Sequence, residues 1–303
     1  MRCAAVDIGT NSTRLLVADA DGGDAPLRPL DRRMVITRLG QDVDATHRLH
    51  PDAIERTVRV LAEYRQALEE LGAERVRATA TSAARDAENR DDFFVAAKEA
   101  LGVEPELLSG SEEARLSFLG ATTGLDAPAP YLVVDIGGGS TEFVLGTEAP
   151  EGLISVDMGC VRLSEQYLTS DPLEPEELSA AVSVARDYLA DVERAIPQAR
   201  HASTLIGLAG TVTSVAAIEL GEYDRDRTHH FRLSRAAAED VFRTLATETA
   251  EERRHNPGLE PGRVDVIVGG VAILVTIMRV LEFDEMLVSE SDILDGLVRS
   301  LAA

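Results

Sequence analysis

Two glycine-containing segments, 128 residues apart, carry the residue types that bind phosphate. Residues 7–13 read DIGTNST and residues 135–141 read DIGGGST, with Asp, Ile, Gly, Ser and Thr in register. Glycine lets a backbone turn sharply, so that successive N–H groups can point inward and form an anion-binding nest. Serine and threonine hydroxyls add further donors. The residues of these turns that are predicted to contact phosphate are Gly9, Thr10, Asn11, Ser12, Gly137, Gly138, Gly139 and Ser140.

Carboxylates beside the two turns suggest a second kind of chemistry. Asp7 and Asp135 each end an apolar segment just before a turn. A carboxylate only accepts hydrogen bonds, so it would repel a phosphate and is better suited to hold a divalent cation or a water beside one. Glu142 lies one side-chain alternation beyond Ser140 on the following strand. Asp135 and Glu142 are therefore the predicted ligands of Mg²⁺ or another divalent cation.

A further acidic segment, residues 109–113 with the sequence SGSEE, follows a short predicted strand and begins a predicted helix. Ser109 and Glu112 fit a capping box, and acidic residues stabilise the first turn of a helix. From the residues alone, Glu113 is either one of these helix-terminal acids or a general base that activates water. The sequence contains no Walker A motif, no GxSxG elbow and no HExxH motif, which argues against those three mechanisms.

The composition limits the class of partner. The chain has 303 residues, enough for two domains, and a formal net charge of −23, which argues against a nucleic-acid-binding protein. Such a charge also repels polyanions, so an anion site must be locally rich in backbone N–H groups and arginine. The longest mostly apolar stretch, residues 266–278, is too short to span a bilayer, and the amino terminus does not resemble a signal peptide. We therefore expect a cytoplasmic protein without membrane contact.

Periodicity and turn residues predict strands that alternate with helices, which is typical of an α/β fold. A strand, turn and second strand are predicted around each glycine segment, and residues 124–130, rich in Gly, Ala and Pro, are the predicted domain boundary. A long helix is predicted to begin at Pro51. Further strands are predicted over residues 35–39, 76–81, 106–108, 153–157, 204–208 and 285–289.

At these residues the sequence strongly resembles the Ppx/GppA family of exopolyphosphatases and guanosine pentaphosphate phosphohydrolases. The resemblance covers nearly the whole chain, and its markers are residues 5–12, 109–115, 134–142 and 207–211. It implies two ribonuclease H-like domains of the actin, sugar-kinase and Hsp70 superfamily, with the site in a cleft between them. The implied domains are residues 1–124 with a C-terminal helix at about 290–303, and residues 125–289. The chain resembles the short form, without the extra C-terminal helical domains of longer members.

The resemblance also implies roles for individual residues. The catalytic glutamate of the family directly precedes Ala-Arg, which assigns Glu113 as the base and leaves Glu112 as the helix cap. Arg85 matches an arginine that contacts substrate phosphate. Arg14, which stands in the first repeat where Glu142 stands in the second, is a further candidate for contact with phosphate. Gly210 and Thr211 resemble a third phosphate-contacting turn of the superfamily.

The expected activity is hydrolysis of the terminal phosphoanhydride of inorganic polyphosphate, by a homodimer with Mg²⁺. The nearest alternative is removal of the 5′-terminal phosphate from guanosine pentaphosphate (pppGpp) by the same residues. An ATP-dependent kinase of the same superfamily is a second alternative, although a glutamate on the 109–113 segment suits water activation better. A sensor that binds polyphosphate or an alarmone without turnover is a third.

Overall fold

A computed structural model describes residues 1–23 and 25–302. Its strands are β1 Arg2–Ile8, β2 Ser12–Asp19, β3 Arg28–Ile36, β4 Arg75–Ala80, β5 Glu106–Leu107, β6 Tyr131–Ile136, β7 Thr141–Gly146, β8 Pro150–Val156, β9 Thr204–Leu208, β10 Arg232–Ser234 and β11 Glu285–Val288. Its α-helices are α1 Val43–Thr46, α2 Pro51–Leu71, α3 Ser82–Asp86, α4 Arg90–Leu101, α5 Gly110–Thr122, α6 Cys160–Tyr167, α7 Pro175–Ala195, α8 Ala209–Leu220, α9 Arg225–Thr228, α10 Arg235–Thr247, α11 Ala250–Arg253, α12 Ile267–Val280 and α13 Ile293–Ala302.

The first compact unit consists of Met1–Asp126 and the chain from Asp292 onward. Its sheet has the order β3-β2-β1-β4-β5, in which β1 to β3 are antiparallel while β4 and β5 run parallel to β1. Successive side chains of a strand face opposite sides of a sheet. Ala4 and Val6 accordingly pack with Tyr64 of α2, whereas Cys3 packs with Leu297 of α13 on the other face. The C-terminal helix is thus part of this unit's core.

The second compact unit, Ala127–Ser291, contains a sheet with the order β10-β11-β9-β6-β7-β8. Strands β6 to β8 are antiparallel, and β9 and β11 run parallel to β6. All residues of β6 and β7 are buried, and the alternate residues Leu132, Val134 and Ile136 belong to one apolar cluster with residues of α7 and α12. Helix α12 is apolar on all sides and lies in the core of this unit, as such helices do.

The two units repeat one arrangement. The order β3-β2-β1-β4-β5 of the first sheet recurs in the second as β8-β7-β6-β9-β11, with the same strand directions. The prediction of an α/β fold with two ribonuclease H-like domains is therefore confirmed. In each unit the DIG segment ends the central strand, and the glycine turn connects that strand to its antiparallel neighbour. Across residues 1–23 and 25–302, no helix combines the length and the apolarity that crossing a membrane requires.

One strand prediction was wrong. The strand expected over residues 35–39 is β3, Arg28–Ile36, which ends before that segment is complete. It lies at the edge of its sheet and has mostly exposed or half-buried polar side chains, so its sequence lacks the apolar run on which the prediction relied. Thr37 to Gly40 instead form a loop whose N–H groups bind the first glycine turn.

Helix α7 begins with a capping box that ties down the preceding loop. The Glu177 carboxylate accepts hydrogen bonds from the N–H groups of Glu174, Thr169 and Ser170 at 2.9 to 3.0 Å. These bonds, that from Glu174 foremost, lower the pKa of Glu177 to about 2. Because the folded pKa lies below the value of about 4.3 for an unfolded glutamate, this stabilisation is present above that pH and lost as pH falls toward 2.

We expect Glu177→Gln to lower Tm at pH 7, and we expect the difference from the parent protein to shrink as the pH falls below about 4. Thermal unfolding followed by circular dichroism across that pH range measures the effect. The neighbouring exposed Glu176, changed to Gln, is the matched control. Equal Tm values for the two variants at pH 7 would show that the capping carboxylate does not stabilise the fold.

Candidate active site

Both glycine turns close with the same hydrogen bond. The Gly9 N–H donates to the Ser12 carbonyl at 3.0 Å, and the Gly137 N–H donates to the Ser140 carbonyl at 3.0 Å. A Cβ at residue 137 would lie 2.9 Å from that carbonyl oxygen, and one at residue 9 would lie 3.1 Å from its equivalent. A side chain at residue 137 would therefore force the backbone to shift, and one at residue 9 would require the carbonyl to yield by a few tenths of an ångström. The sequence repeat corresponds to a repeat of backbone geometry.

The carbonyl side of the second turn is bound by the start of α6. The Cys160 N–H donates to the Gly137 carbonyl at 2.9 Å, and the Val161 N–H donates to the Gly138 carbonyl at 2.8 Å. In a trans peptide the C=O of one residue and the N–H of the next point in opposite directions. The N–H groups of Gly138 and Gly139 therefore point away from α6, and neither has an acceptor within residues 1–23 and 25–302. Such a pair of outward donors forms an anion-binding nest.

The first turn is held in the same way by a different segment. The Gly40 N–H donates to the Thr10 carbonyl at 2.8 Å, and the Arg38 N–H donates to the Asn11 carbonyl at 2.9 Å. The N–H groups of Asn11 and Ser12 consequently face the opposite side. The Asn11 side chain is only 6% exposed, and neither its amide oxygen nor its amide nitrogen has a partner in the described chain. A buried amide of this kind needs a partner, which a bound anion or water would supply.

The segments that support the turns were not identified from sequence. Thr37–Gly40 and Cys160–Arg162 lie far from the turns along the chain, and their contribution is mostly backbone. The sequence signal for these supporting segments is a pair of isolated glycines, Gly40 and Gly159. A Cβ at Gly40 would lie 2.2 Å from the Thr10 Cγ2 atom, and a Cβ at Gly159 would lie 2.1 Å from the Gly138 carbonyl oxygen. A glycine outside a predicted turn can thus mark a close approach of two backbone segments.

The two units differ at one equivalent pair of strand positions. In the first, Asp7 faces Arg14 across the strands, and the Arg14 Nη2 atom lies 2.7 Å from the Asp7 Oδ2 atom. In the second, Asp135 faces Glu142, so two carboxylates stand where the first unit has an ion pair. Like charges directly opposite one another destabilise a sheet unless a cation lies between them. The Glu142 Oε1 atom accepts a hydrogen bond from Ser155 Oγ at 2.7 Å, which fixes its orientation.

The donor set of this carboxylate pair fits Mg²⁺. The described residues contain no cluster of three or more His, Cys, Asp or Glu side chains poised to hold a metal. Asp135 and Glu142, both of which are buried, would offer two acidic ligands. Mg²⁺ characteristically binds one or two carboxylates and completes its octahedron with water and substrate phosphates. A pair of buried acids is therefore sufficient for Mg²⁺, whereas Ca²⁺ usually requires more protein ligands.

Arg14, predicted to contact phosphate, belongs to a buried ion-pair network in the first unit. Its Nη1 atom lies 2.5 Å from the Asp292 Oδ2 atom at the start of α13. Arg32 continues the network to Asp292 at 3.5 Å and to Asp295. Burial raises the pKa of Asp7, against the opposing effect of Arg14. The Oδ1 atom of Asp7 is buried without a partner among the described residues, which fits a cation or water at that position.

Helix α5 separates the roles of its two adjacent glutamates. Glu112 completes the capping box: its N–H donates to Ser109 Oγ, and its carboxylate accepts from the Ser109 N–H at 3.1 Å. Glu113 instead accepts a hydrogen bond from Arg85 Nη1 at 2.7 Å. The Glu113 side chain is 13% exposed and that of Arg85 is 21% exposed. The structure thus brings together the predicted base and the predicted phosphate-binding arginine.

The third predicted turn begins α8 in the second unit. Ala209 has a left-handed backbone with φ of 67°, which is uncommon for a residue other than glycine. A Cβ at Gly210 would lie 2.0 Å from the Arg263 Nη1 atom, so the absent side chain admits a guanidinium close to the helix start. Thr211 packs against Gly270. A Cβ at residue 270 would lie 2.4 Å from the Thr211 Oγ1 atom. Arg263 is thus an additional cation beside the third turn.

Comparison with known proteins agrees with these features. A model of the Ppx/GppA phosphatase family matches residues 16–303. Exopolyphosphatase 2 of Mycobacterium tuberculosis is 44% identical over an alignment that covers 99% of this chain and 98% of that protein. The crystal structure of an exopolyphosphatase-like protein has a TM-score of 0.95 and 37% identity, covering 100% of this chain and 99% of the other. That of a Ppx/GppA protein from Aquifex aeolicus has a TM-score of 0.82 and 33% identity, covering 99% and 97%.

Proposed function

This chain belongs to the Ppx/GppA phosphatase family, and from that premise we propose that it is an exopolyphosphatase, which hydrolyses the terminal phosphoanhydride of inorganic polyphosphate. The observation that carries the proposal is the duplicated glycine turn. In both units hydrogen bonds to the turn carbonyls fix the backbone so that its N–H groups face outward. These donors bind phosphate without adding net charge. They therefore give a chain of net charge −23 a local site for a polyanion.

Glu113 supplies the base in the proposed reaction. Its carboxylate orients a water and accepts one of its protons while the water oxygen bonds to the terminal phosphorus. The bond between that phosphorus and the bridging oxygen breaks, and the shortened polyphosphate leaves with the bond's electron pair. Arg85 holds Glu113 at 2.7 Å and has the fork geometry that suits a phosphate oxygen. It would thus orient the base and offset the charge of the transferred group.

Asp135 and Glu142 would hold Mg²⁺ or another divalent cation. The cation would offset the negative charge of the phosphates when it is bound. Ser155 keeps the Glu142 carboxylate in place by its 2.7 Å hydrogen bond. The charge pattern supports this assignment. In the first unit the equivalent of Glu142 is Arg14, whose guanidinium balances the charge of Asp7. In the second unit a bound cation would supply that positive charge.

We expect Asp135→Asn to raise the Mg²⁺ concentration needed for half-maximal activity by at least about tenfold, because one of two anionic ligands is lost. Titration of initial rates with MgCl₂ measures this shift. Glu148→Gln, which removes one negative charge from an exposed position in the same unit, is the control. A variant at Asp135 with the parent's Mg²⁺ dependence would rule out this metal site.

Product analysis tests the proposed activity itself. An exopolyphosphatase releases orthophosphate from chain ends, so a long polyphosphate should yield orthophosphate from the start of the reaction. Gel electrophoresis of the remaining polymer should show gradual shortening without early fragments of intermediate length. Early intermediate fragments would indicate internal cleavage, and the absence of any phosphate release would contradict the proposal.

A further inference from the structure

The second glycine turn is bound by a side chain as well as by backbone groups. Beyond the backbone bonds from Cys160, Val161 and Arg162, the Arg162 side chain donates from Nε to the Gly139 carbonyl at 3.0 Å. We propose that Arg162 is a positioning residue, which orients the peptide between Gly139 and Ser140 so that the turn is preformed for phosphate. This inference rests on the proposed function of the turn as a phosphate-binding nest.

The geometry follows from the planarity of the peptide. Three consecutive carbonyls, those of Gly137, Gly138 and Gly139, accept hydrogen bonds from the first turn of α6. The N–H groups of the residues that follow each carbonyl must then point away from α6. The bond from Arg162 extends this pattern to the Ser140 N–H. Without it, the last peptide of the turn would lack the constraint that the two preceding peptides have.

The contact with the turn also provides acceptors for the first N–H groups of α6. The first N–H groups of a helix have no partner within it. Those of Cys160 and Val161 find acceptors in the turn, and Gly159 permits the approach because it has no Cβ. The side chain of Arg162 reaches the same carbonyl row from the third position of α6. Turn and helix therefore form one preorganised unit, to which Arg162 contributes through its side chain.

The first glycine turn provides a reference for the second, because backbone groups bind its carbonyls. Its carbonyls accept hydrogen bonds from the N–H groups of Thr37, Arg38 and Gly40, all of them backbone donors. Side-chain substitution there would leave these donors in place. In the second turn, the bond from Arg162 can be removed by a single substitution that leaves every backbone donor intact. A guanidinium is also a charged donor, and charge-assisted hydrogen bonds are about twice as strong as neutral ones.

Arg162 acts on phosphate only through the turn in this proposal, which distinguishes it from Arg85. Its Nε atom is directed to a carbonyl on the side of the turn opposite to the outward N–H groups. The hydrogen bond also polarises the Gly139–Ser140 peptide and so strengthens its N–H as a donor. Loss of Arg162 should thus weaken phosphate binding while leaving the water-activating machinery of the other unit unaffected.

The test compares Arg162→Met with Arg186→Met, which removes a guanidinium from an exposed position on α7 of the same unit. We expect Arg162→Met to raise KM for polyphosphate and Kd for tripolyphosphate about tenfold, with kcat little changed. Arg162→Lys should restore part of the affinity, since an ammonium can donate to the same carbonyl. Arg186→Met should behave like the parent protein.

A readout without substrate keeps the inference separate from the proposed function. In the ligand-free protein, the amide NMR signals of Gly139 and Ser140 should shift in Arg162→Met, whereas those of Asn11 and Ser12 should not. If the parent protein failed to hydrolyse polyphosphate, these shifts and the tripolyphosphate affinity would still test the role of Arg162. Unchanged signals at Gly139 and Ser140, or an affinity equal to that of Arg186→Met, would overturn the inference. If Arg162→Met does not fold, the same measurements on Arg162→Ala, which also removes the donor, decide between these results.

Discussion

Glu113→Gln should fold normally and release orthophosphate at least about 10²-fold more slowly than the parent protein, with the loss in kcat. Glutamine has nearly the same shape and keeps an oxygen that can accept the 2.7 Å hydrogen bond from Arg85. It cannot accept a proton from water. The substitution therefore removes the base while it preserves the position of the guanidinium, and initial rates with saturating polyphosphate measure the effect.

The adjacent glutamate is the matched control for this experiment. Glu112→Gln changes the same residue type on the same helix turn, and glutamine can still complete the capping box with Ser109. We expect its kcat to equal that of the parent protein. A similar loss in both variants would indicate damage to the start of α5, and full activity of Glu113→Gln would exclude Glu113 as the base.

Gly159→Ala should lower kcat/KM for polyphosphate by about 10²-fold, the scale seen when an enzyme loses one preorganised hydrogen-bond donor. The new Cβ would lie 2.1 Å from the Gly138 carbonyl oxygen and 2.4 Å from the Gly139 nitrogen. Both are backbone atoms, so the clash can be relieved only by moving the second turn or the start of α6. Either movement separates the Gly137 and Gly138 carbonyls from the N–H groups that hold them. The free energy of unfolding should also fall, by about 1 to 3 kcal/mol.

Gly152→Ala tests whether any added methyl group in this unit has that effect. Its Cβ would lie 3.3 Å from the Ile196 Cγ2 atom, which is part of a side chain that can adjust. We expect activity close to that of the parent protein. Normal kcat/KM in Gly159→Ala would mean that the turn tolerates displacement, which conflicts with a preformed phosphate nest. Denaturant unfolding of both variants separates loss of the turn from loss of the fold.

The parts of the fold that sequence predicted are those with local signals. The repeated DIG segment identified both turns. The close approach of two backbone segments in each turn favours glycine, and that glycine is visible in the sequence. Pro51 at the first position of α2 and the capping box at Ser109 marked two helix starts correctly. In contrast, β3 was misplaced because an edge strand needs no continuous apolar run.

The parts of the site that sequence could not predict depend on contacts between distant segments. The carbonyls of the second turn are bound by residues 23 positions later, through backbone groups that any residue except proline could supply. The pairing of Arg14 with Asp292 joins positions from opposite ends of the chain. Resemblance placed Arg85 and Glu113 in one reaction, and the structure adds the 2.7 Å hydrogen bond between them. A homodimer, a cytoplasmic location and a single substrate shared by both turns stay predictions.

The most direct test measures orthophosphate release by the purified protein with Mg²⁺, from polyphosphate and from guanosine pentaphosphate at matched concentrations. We predict a higher kcat/KM for polyphosphate, and the same dependence on Glu113 for any release that the nucleotide supports. Release confined to guanosine pentaphosphate, or no release from either substrate, would contradict the assignment of this chain as an exopolyphosphatase.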